Sequence, residues 1–185
     1  AGTLGALAGL WSNGPGPLLR SEVGQGAVQT VMDASAPAPP AGLAVARRGE
    51  AIPALQLPGL DSTPVRIPAD YSGRPIVINL WASWCGPCIE EMPELDRFAA
   101  TQGANGTQVV GIALDDAASV RAFLQRIPVR YPIVLDQAGP RDAGVQLGNA
   151  KGVLPYTVLV SADGRLLKQK IGPFAHGEID DWVAN

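Results

Sequence analysis

The sequence predicts an α/β protein in which helices flank a central mixed sheet, with a β-hairpin added on the N-terminal side. Three observations carry that expectation. The run Pro75-Ile76-Val77-Ile78-Asn79-Leu80-Trp81 is apolar almost without interruption, as a strand covered on both faces must be. Strand-like and helix-like segments then alternate along the chain, which favours parallel strands joined by helical crossovers. The last third contains two strand-like runs around the turn Ala162-Asp163-Gly164, which bring antiparallel pairing into the same sheet.

Taken in order, residues 1–11 are small and apolar and too few to span a bilayer. They read as the tail of a removed signal or of an anchor, or as a plain small-residue segment. Residues 21–32 suit a short helix, and the stretch from Ser35 to Ala46, Ser-Ala-Pro-Ala-Pro-Pro-Ala-Gly-Leu-Ala-Val-Ala, reads as an extended linker. This divides the chain into a flexible Ala/Gly/Pro-rich tether over residues 1–50 and a folded domain over residues 51–185. Within the domain, Ala54-Leu55-Gln56-Leu57 and Val65-Arg66-Ile67 form the added hairpin across Pro58-Gly59-Leu60-Asp61. Residues 74–81 are the buried strand, 85–100 a helix, 107–114 a strand and 117–126 a helix whose Val120, Phe123 and Leu124 make one stripe. Residues 131–135 are a strand, 141–147 a short helix, 156–160 and 165–171 the closing hairpin, and 177–184 a last helix.

Composition suits one such core, with 46% hydrophobic residues among 185. Seventeen acidic and fourteen basic side chains leave a net charge of −3, which supplies no electrostatic footprint for nucleic acid.

Both cysteines of the chain lie in Trp81-Ala82-Ser83-Trp84-Cys85-Gly86-Pro87-Cys88, at the junction of the buried strand and the next helix. A sulfur at the helix start lies among unpaired N–H groups at the positive end of the dipole, which favours thiolate. Cys88 is one turn further on the same face, within reach of a small disulfide ring, and Pro87 is tolerated because first-turn N–H groups have no helical partner. The spacing points to a redox pair. Structural zinc would need more ligands than two cysteines and His176 offer. A purely structural disulfide would close so short a loop that it removes little entropy from the unfolded chain.

The segment Ile76-Val77-Ile78-Asn79-Leu80-Trp81-Ala82-Ser83-Trp84-Cys85-Gly86-Pro87-Cys88 resembles the active-site strand and helix start of the thioredoxin superfamily. Asn79 and the run Cys88-Ile89-Glu90-Glu91-Met92-Pro93-Glu94-Leu95 resemble its TlpA/ResA branch, the membrane-tethered thiol–disulfide oxidoreductases outside the bacterial cytoplasm. Gly152-Val153-Leu154-Pro155-Tyr156-Thr157-Val158 is similar to the cis-proline loop of that family. The resemblance implies a thioredoxin-like fold and an extracytoplasmic protein that reduces disulfides in partner proteins, of the kind serving cytochrome c maturation or copper-site assembly. It assigns attack to Cys85, resolution to Cys88, a functional carboxylate to Glu91, and a place against the cysteine pair to Pro155. It further implies substrate contacts at Trp84, Gly86, Pro87 and Leu154. No cofactor beyond the Cys85–Cys88 disulfide and no metal is expected. Expected partners are proteins carrying disulfides or thiols and a membrane reductant that supplies electrons; a tether upstream of residue 1 and a monomeric domain are expected as well.

Several residues carry two readings. Glu91 follows Cys88 by one turn, so a partly buried carboxylate there would exchange protons with the thiols, whereas a solvated first-turn acid, the reading given to Glu90 and Glu94, would not. Asn79 cannot take a proton and is either part of that arrangement or a satisfied core amide. Pro93 lacks a helical donor and is expected to bend the helix. His176 is a cap or surface residue, or else the third ligand of a copper-binding module that uses the same thiols without turnover.

Overall fold

The computed structural model describes residues 21–185, and the chain separates into two compact units, Ala1–Ala36 and Pro37–Asn185. The apolar stretch at residues 1–11 lies outside the described residues. The first unit contains helix α1 (Glu22–Ala34), started by the Ser21 side chain, which accepts the Gly24 N–H at 3.1 Å.

The second unit begins ahead of the boundary expected at residue 51. Ala46 is buried and donates its N–H to the Gln146 carbonyl at 2.8 Å, and Gly49 donates to Leu166 at 2.7 Å. A stretch whose small apolar residues read as linker thus lies against the sheet, because small side chains fit there as well as they fit a tether.

Strands β1 (Leu55–Pro58) and β2 (Pro64–Ile67) pair antiparallel as a separate two-stranded sheet, with Leu55 opposite Ile67. Asp61 shapes their turn by accepting the Thr63 N–H at 2.9 Å. A short 3₁₀ turn, Ala69–Tyr71, follows the cis Ile67–Pro68 bond, and neither was anticipated from the sequence.

The main sheet contains β3 (Ile76–Trp81), β4 (Gln108–Leu114), β5 (Ile133–Asp136), β6 (Tyr156–Val160) and β7 (Leu166–Ile171), in the spatial order β5-β4-β3-β6-β7. β3 runs parallel to β4 and β4 to β5, while β6 is antiparallel to both β3 and β7. Helix α2 (Gly86–Thr101) joins β3 to β4, α3 (Ala117–Arg126) joins β4 to β5, α4 (Ala143–Gln146) follows β5, and α5 (Glu178–Ala184) follows β7. The expected order of elements is present throughout, and α2 continues without interruption through Pro93.

Every residue of β3 is buried, and strand alternation sorts its side chains onto two faces. Ile76, Ile78 and Leu80 join Val110, Ile112, Val158 and Val160 in one apolar cluster. Val77 and Trp81 face the other way, into a cluster with Cys85, Cys88, Met92, Leu95 and Phe98 of the α2 region. Val120 and Phe123 of α3 close that second cluster, with the Phe123 and Trp81 rings 5.2 Å apart.

Candidate active site

Asn79 lies between Val77 and Trp81 on β3, so alternation sends a polar side chain into the α2 face of the core. After Trp81 the chain turns, with the Ser83 N–H donated to Asp115 at 3.1 Å, and Cys85 becomes the N-cap of α2. The Cys88 N–H donates to Cys85 Sγ at 3.3 Å. Cys85 and Cys88 form a disulfide, with Cα atoms 5.3 Å apart. Both sulfur residues are buried, Cys88 completely. Around them Trp84 is 70% exposed, and Gly86 and Pro87 are exposed as well. An apolar ring and an open first turn therefore surround the helix end at which negative charge is favoured.

Pro155 arrives at the same end of the sheet. The pairing of Leu80 with Tyr156 sets Pro155 one step beyond the last paired residue of β6, beside the end of β3 that leads into Cys85. The Leu154–Pro155 bond is cis, and Leu154 is half-buried against both core clusters. The Asn149 side chain fixes the preceding loop, donating to the Val153 carbonyl at 2.8 Å and accepting its N–H at 3.0 Å.

Glu91 is 1% exposed, which removes the solvated reading. The Asn79 Nδ2 donates to Glu91 Oε1 at 2.7 Å and to Thr157 Oγ1 at 3.0 Å, and the Phe174 N–H donates to Glu91 Oε2 at 2.9 Å. Burial pushes the Glu91 carboxyl up to about 7, against the opposing pull of the Phe174 and Asn79 donors and of the Lys170 charge. A carboxyl poised there changes protonation near neutral pH, one helical turn from Cys88. Asn79 Oδ1, Trp81 Nε1 and the Tyr131 hydroxyl are buried with no hydrogen-bond partner among the described residues.

Glu94 corrects the expectation that it is a solvated acid. It is 7% exposed and accepts from Arg97 at 2.6 Å and from the Gly177 N–H at 2.7 Å. The Arg97 hydrogen bonds, with help from Gly177 and His176, hold its carboxyl down at about 2. His176 has an 89% exposed side chain whose Nδ1 lies 3.1 Å from Glu94, so it is a surface residue on the α2–α5 junction. Among the described residues no group of three or more His, Cys, Asp or Glu side chains is arranged to hold a metal ion.

Sequence reasoning missed Thr157, Phe174, Lys170 and Glu178. Lys170 is 2% exposed, with Nζ 2.7 Å from Glu178 Oε1 and 5.1 Å from the Phe174 ring centre. The signal that could have found it is register. Asn79 pairs with Thr157 and Thr157 with Lys170, and paired residues of adjacent strands share a face, so a row of three polar side chains crosses β3, β6 and β7.

A redoxin family profile matches residues 47–184. The chain is 24% identical over 115 residues to the thiol-disulfide oxidoreductase ResA of Bacillus thuringiensis, covering 62% of this chain and 64% of that relative. The matched stretch thus spans less than two thirds of its length. Among solved structures, a thioredoxin-related protein from Neisseria meningitidis serogroup B is 34% identical with a TM-score of 0.63, covering 69% of this chain and 96% of that one. A structure from Chlorobium tepidum, described as a thiol:disulfide interchange protein of the DsbE type, is 27% identical with a TM-score of 0.66, covering 75% and 96%. The chain has the thioredoxin-like fold and belongs to the redoxin family, as a ResA/TlpA-type member of the thioredoxin superfamily.

Proposed function

We propose that this protein is a thiol–disulfide oxidoreductase that reduces disulfides in partner proteins, with Glu91 exchanging protons with its cysteine pair. The observation that carries the reading is the conjunction of a CxxC disulfide at a helix N-terminus with a buried carboxyl one turn below it. In the reduced enzyme the Cys85 thiolate attacks one sulfur of a substrate disulfide, forming a mixed disulfide and releasing the first substrate thiolate. Cys88 then loses its proton to the Glu91 carboxylate and attacks Cys85 Sγ, closing the Cys85–Cys88 bond and releasing the second thiolate. Glu91 then passes that proton to one departing thiolate and the other takes its proton from solvent, so two electrons leave the enzyme together with the single proton that the Cys88 thiol carried. Trp84, Gly86, Pro87 and Leu154 are the proposed substrate contacts, since the first three are exposed around Cys85 and Leu154 precedes Pro155 at the same end of the sheet.

An extracytoplasmic location belongs to the same proposal, supported by the ResA-type relatives, and with it go a membrane reductant as electron donor, an upstream tether and a monomeric domain. No described helix is long and apolar enough to cross a membrane.

The test is the trapping of a mixed disulfide with oxidised glutathione. Cys88→Ala should accumulate a glutathione adduct at Cys85, while Cys85→Ala should accumulate far less at Cys88. Equal trapping by both variants, or copper(I) bound stoichiometrically by the reduced protein through His176 without disulfide turnover, would contradict the reading.

A further inference from the structure

A fully buried lysine is the residue of this site that most needs explaining, since a buried ammonium is tolerated only when it is paired and hydrogen-bonded. Lys170 satisfies that through Glu178, whose second oxygen accepts the Ala175 N–H at 2.7 Å. Both partners of this ion pair meet the segment that touches Glu91. The Phe174 ring lies under the Lys170 ammonium, the Phe174 N–H is donated to Glu91, and the next N–H is donated to Glu178. On the sheet, the Asn79–Thr157–Lys170 row runs from one donor of Glu91 to the lysine. A cation and an anion of opposite effect are therefore built into the wall of the Glu91 pocket, on different elements.

We propose that Lys170 and Glu178 are positioning residues that set how readily Glu91 releases its proton, Lys170 favouring the carboxylate and Glu178 the neutral acid. The inference rests on the reading that Glu91 serves the cysteine pair. With all three groups ionised the pocket carries one net negative charge, and protonation of Glu91 neutralises it. The proton is thus held against a compensated background and leaves only partly opposed.

The other groups facing Glu91 are accounted for. Cys88 shares its helix; Asn79 and Thr157 come from β3 and β6 and carry no charge; and the Tyr131 hydroxyl, ahead of β5, is held neutral by burial and by the Glu91 charge itself. Glu94 is bound by Arg97, and Asp96 by Arg130 at 2.8 Å. Lys170 and Glu178 remain as the charges within the pocket.

The test follows the Glu91 carboxyl by ¹³C NMR across pH in the oxidised full chain, with Glu91→Gln identifying the signal. Lys170→Met should raise the midpoint by on the order of one pH unit, Glu178→Gln should lower it, and Lys170→Arg should restore it. Simple loosening of the pocket would admit water and lower the midpoint in both variants, so shifts of the same sign, or none, would overturn the proposal. If Lys170→Met fails to fold, Lys170→Gln takes its place, and a midpoint that does not rise overturns the proposal. The pH dependence of the glutathione equilibrium of Cys85–Cys88 is measured in parallel. A curve unchanged by Glu91→Gln would remove the proton-exchange reading, even where the NMR shifts had the expected signs.

Discussion

The two faces of β3 are equally buried and chemically opposite. Ile76, Ile78 and Leu80 enter a cluster of aliphatic side chains, whereas Val77, Asn79 and Trp81 face a layer that also holds the disulfide, Glu91 and Lys170. A strand has period two, so one six-residue segment serves both layers without compromise. The apolar face supplies stability through burial and close packing. The other face gives up some of that stability to keep a carboxyl and an ammonium out of water, with the carboxyl one helical turn from the cysteine pair. The difference teaches that burial alone does not identify the core residues that only hold the fold together.

If the faces are specialised in this way, damage to them should separate. Leu80→Ala on the apolar face should cost about 2–5 kcal/mol, seen as a lower urea midpoint, while the pH dependence of the redox equilibrium stays unchanged. The polar face should show itself through pH. The Glu91 carboxyl is raised to about 7 in the fold from 4.5, so the folded protein keeps this proton over a range in which the unfolded chain has lost it. Stability of the oxidised protein should therefore fall by up to about 3 kcal/mol as pH rises between those values, and the loss is complete above the folded value. Glu91→Gln should flatten that fall, as measured by urea unfolding at a series of pH values. The disulfide should matter less to stability. Its loop is so short that reduction should lower stability by about 2 kcal/mol in the chain-entropy picture, read as a lower melting temperature of the reduced protein. The smallest effect belongs to the outer side of α2, where Arg97 also meets Asp180 of α5. Asp180→Asn should cost no more than about 1 kcal/mol, and less at high salt, because both groups are partly exposed.

Most of the architecture was legible because it is local. An almost unbroken apolar run marks β3, helical period marks α3, the Asp-Gly turn marks the β6–β7 hairpin, and CxxC marks the start of α2. The limits of this legibility lie where pairing over long separations decides. Lys170 occupies a strand whose sequence, Leu166-Leu167-Lys168-Gln169-Lys170-Ile171, gives no reason to bury one lysine rather than the other. Only the register of β7 on β6, and the arrival of Glu178 after a further turn, selects it. Glu94 is similar, since an acid on a helix reads as solvated until Gly177 and Arg97 are brought against it. The segment around Ala46 was misjudged for a different reason, because alanine and proline compose linkers and close-packed coverings alike.

The most direct test of the division between the faces is the reduction potential of the Cys85–Cys88 pair as a function of pH, for the unsubstituted protein and Glu91→Gln. Two protons accompany two electrons, so an isolated pair of unperturbed thiols follows a line of about 59 mV per pH unit below their titration. The account predicts that the slope for the unsubstituted protein changes near pH 7, because reduction of the neighbouring pair shifts the titration of Glu91, and that Glu91→Gln loses this change and keeps only the one belonging to Cys85. Superimposable curves for the two proteins would contradict it.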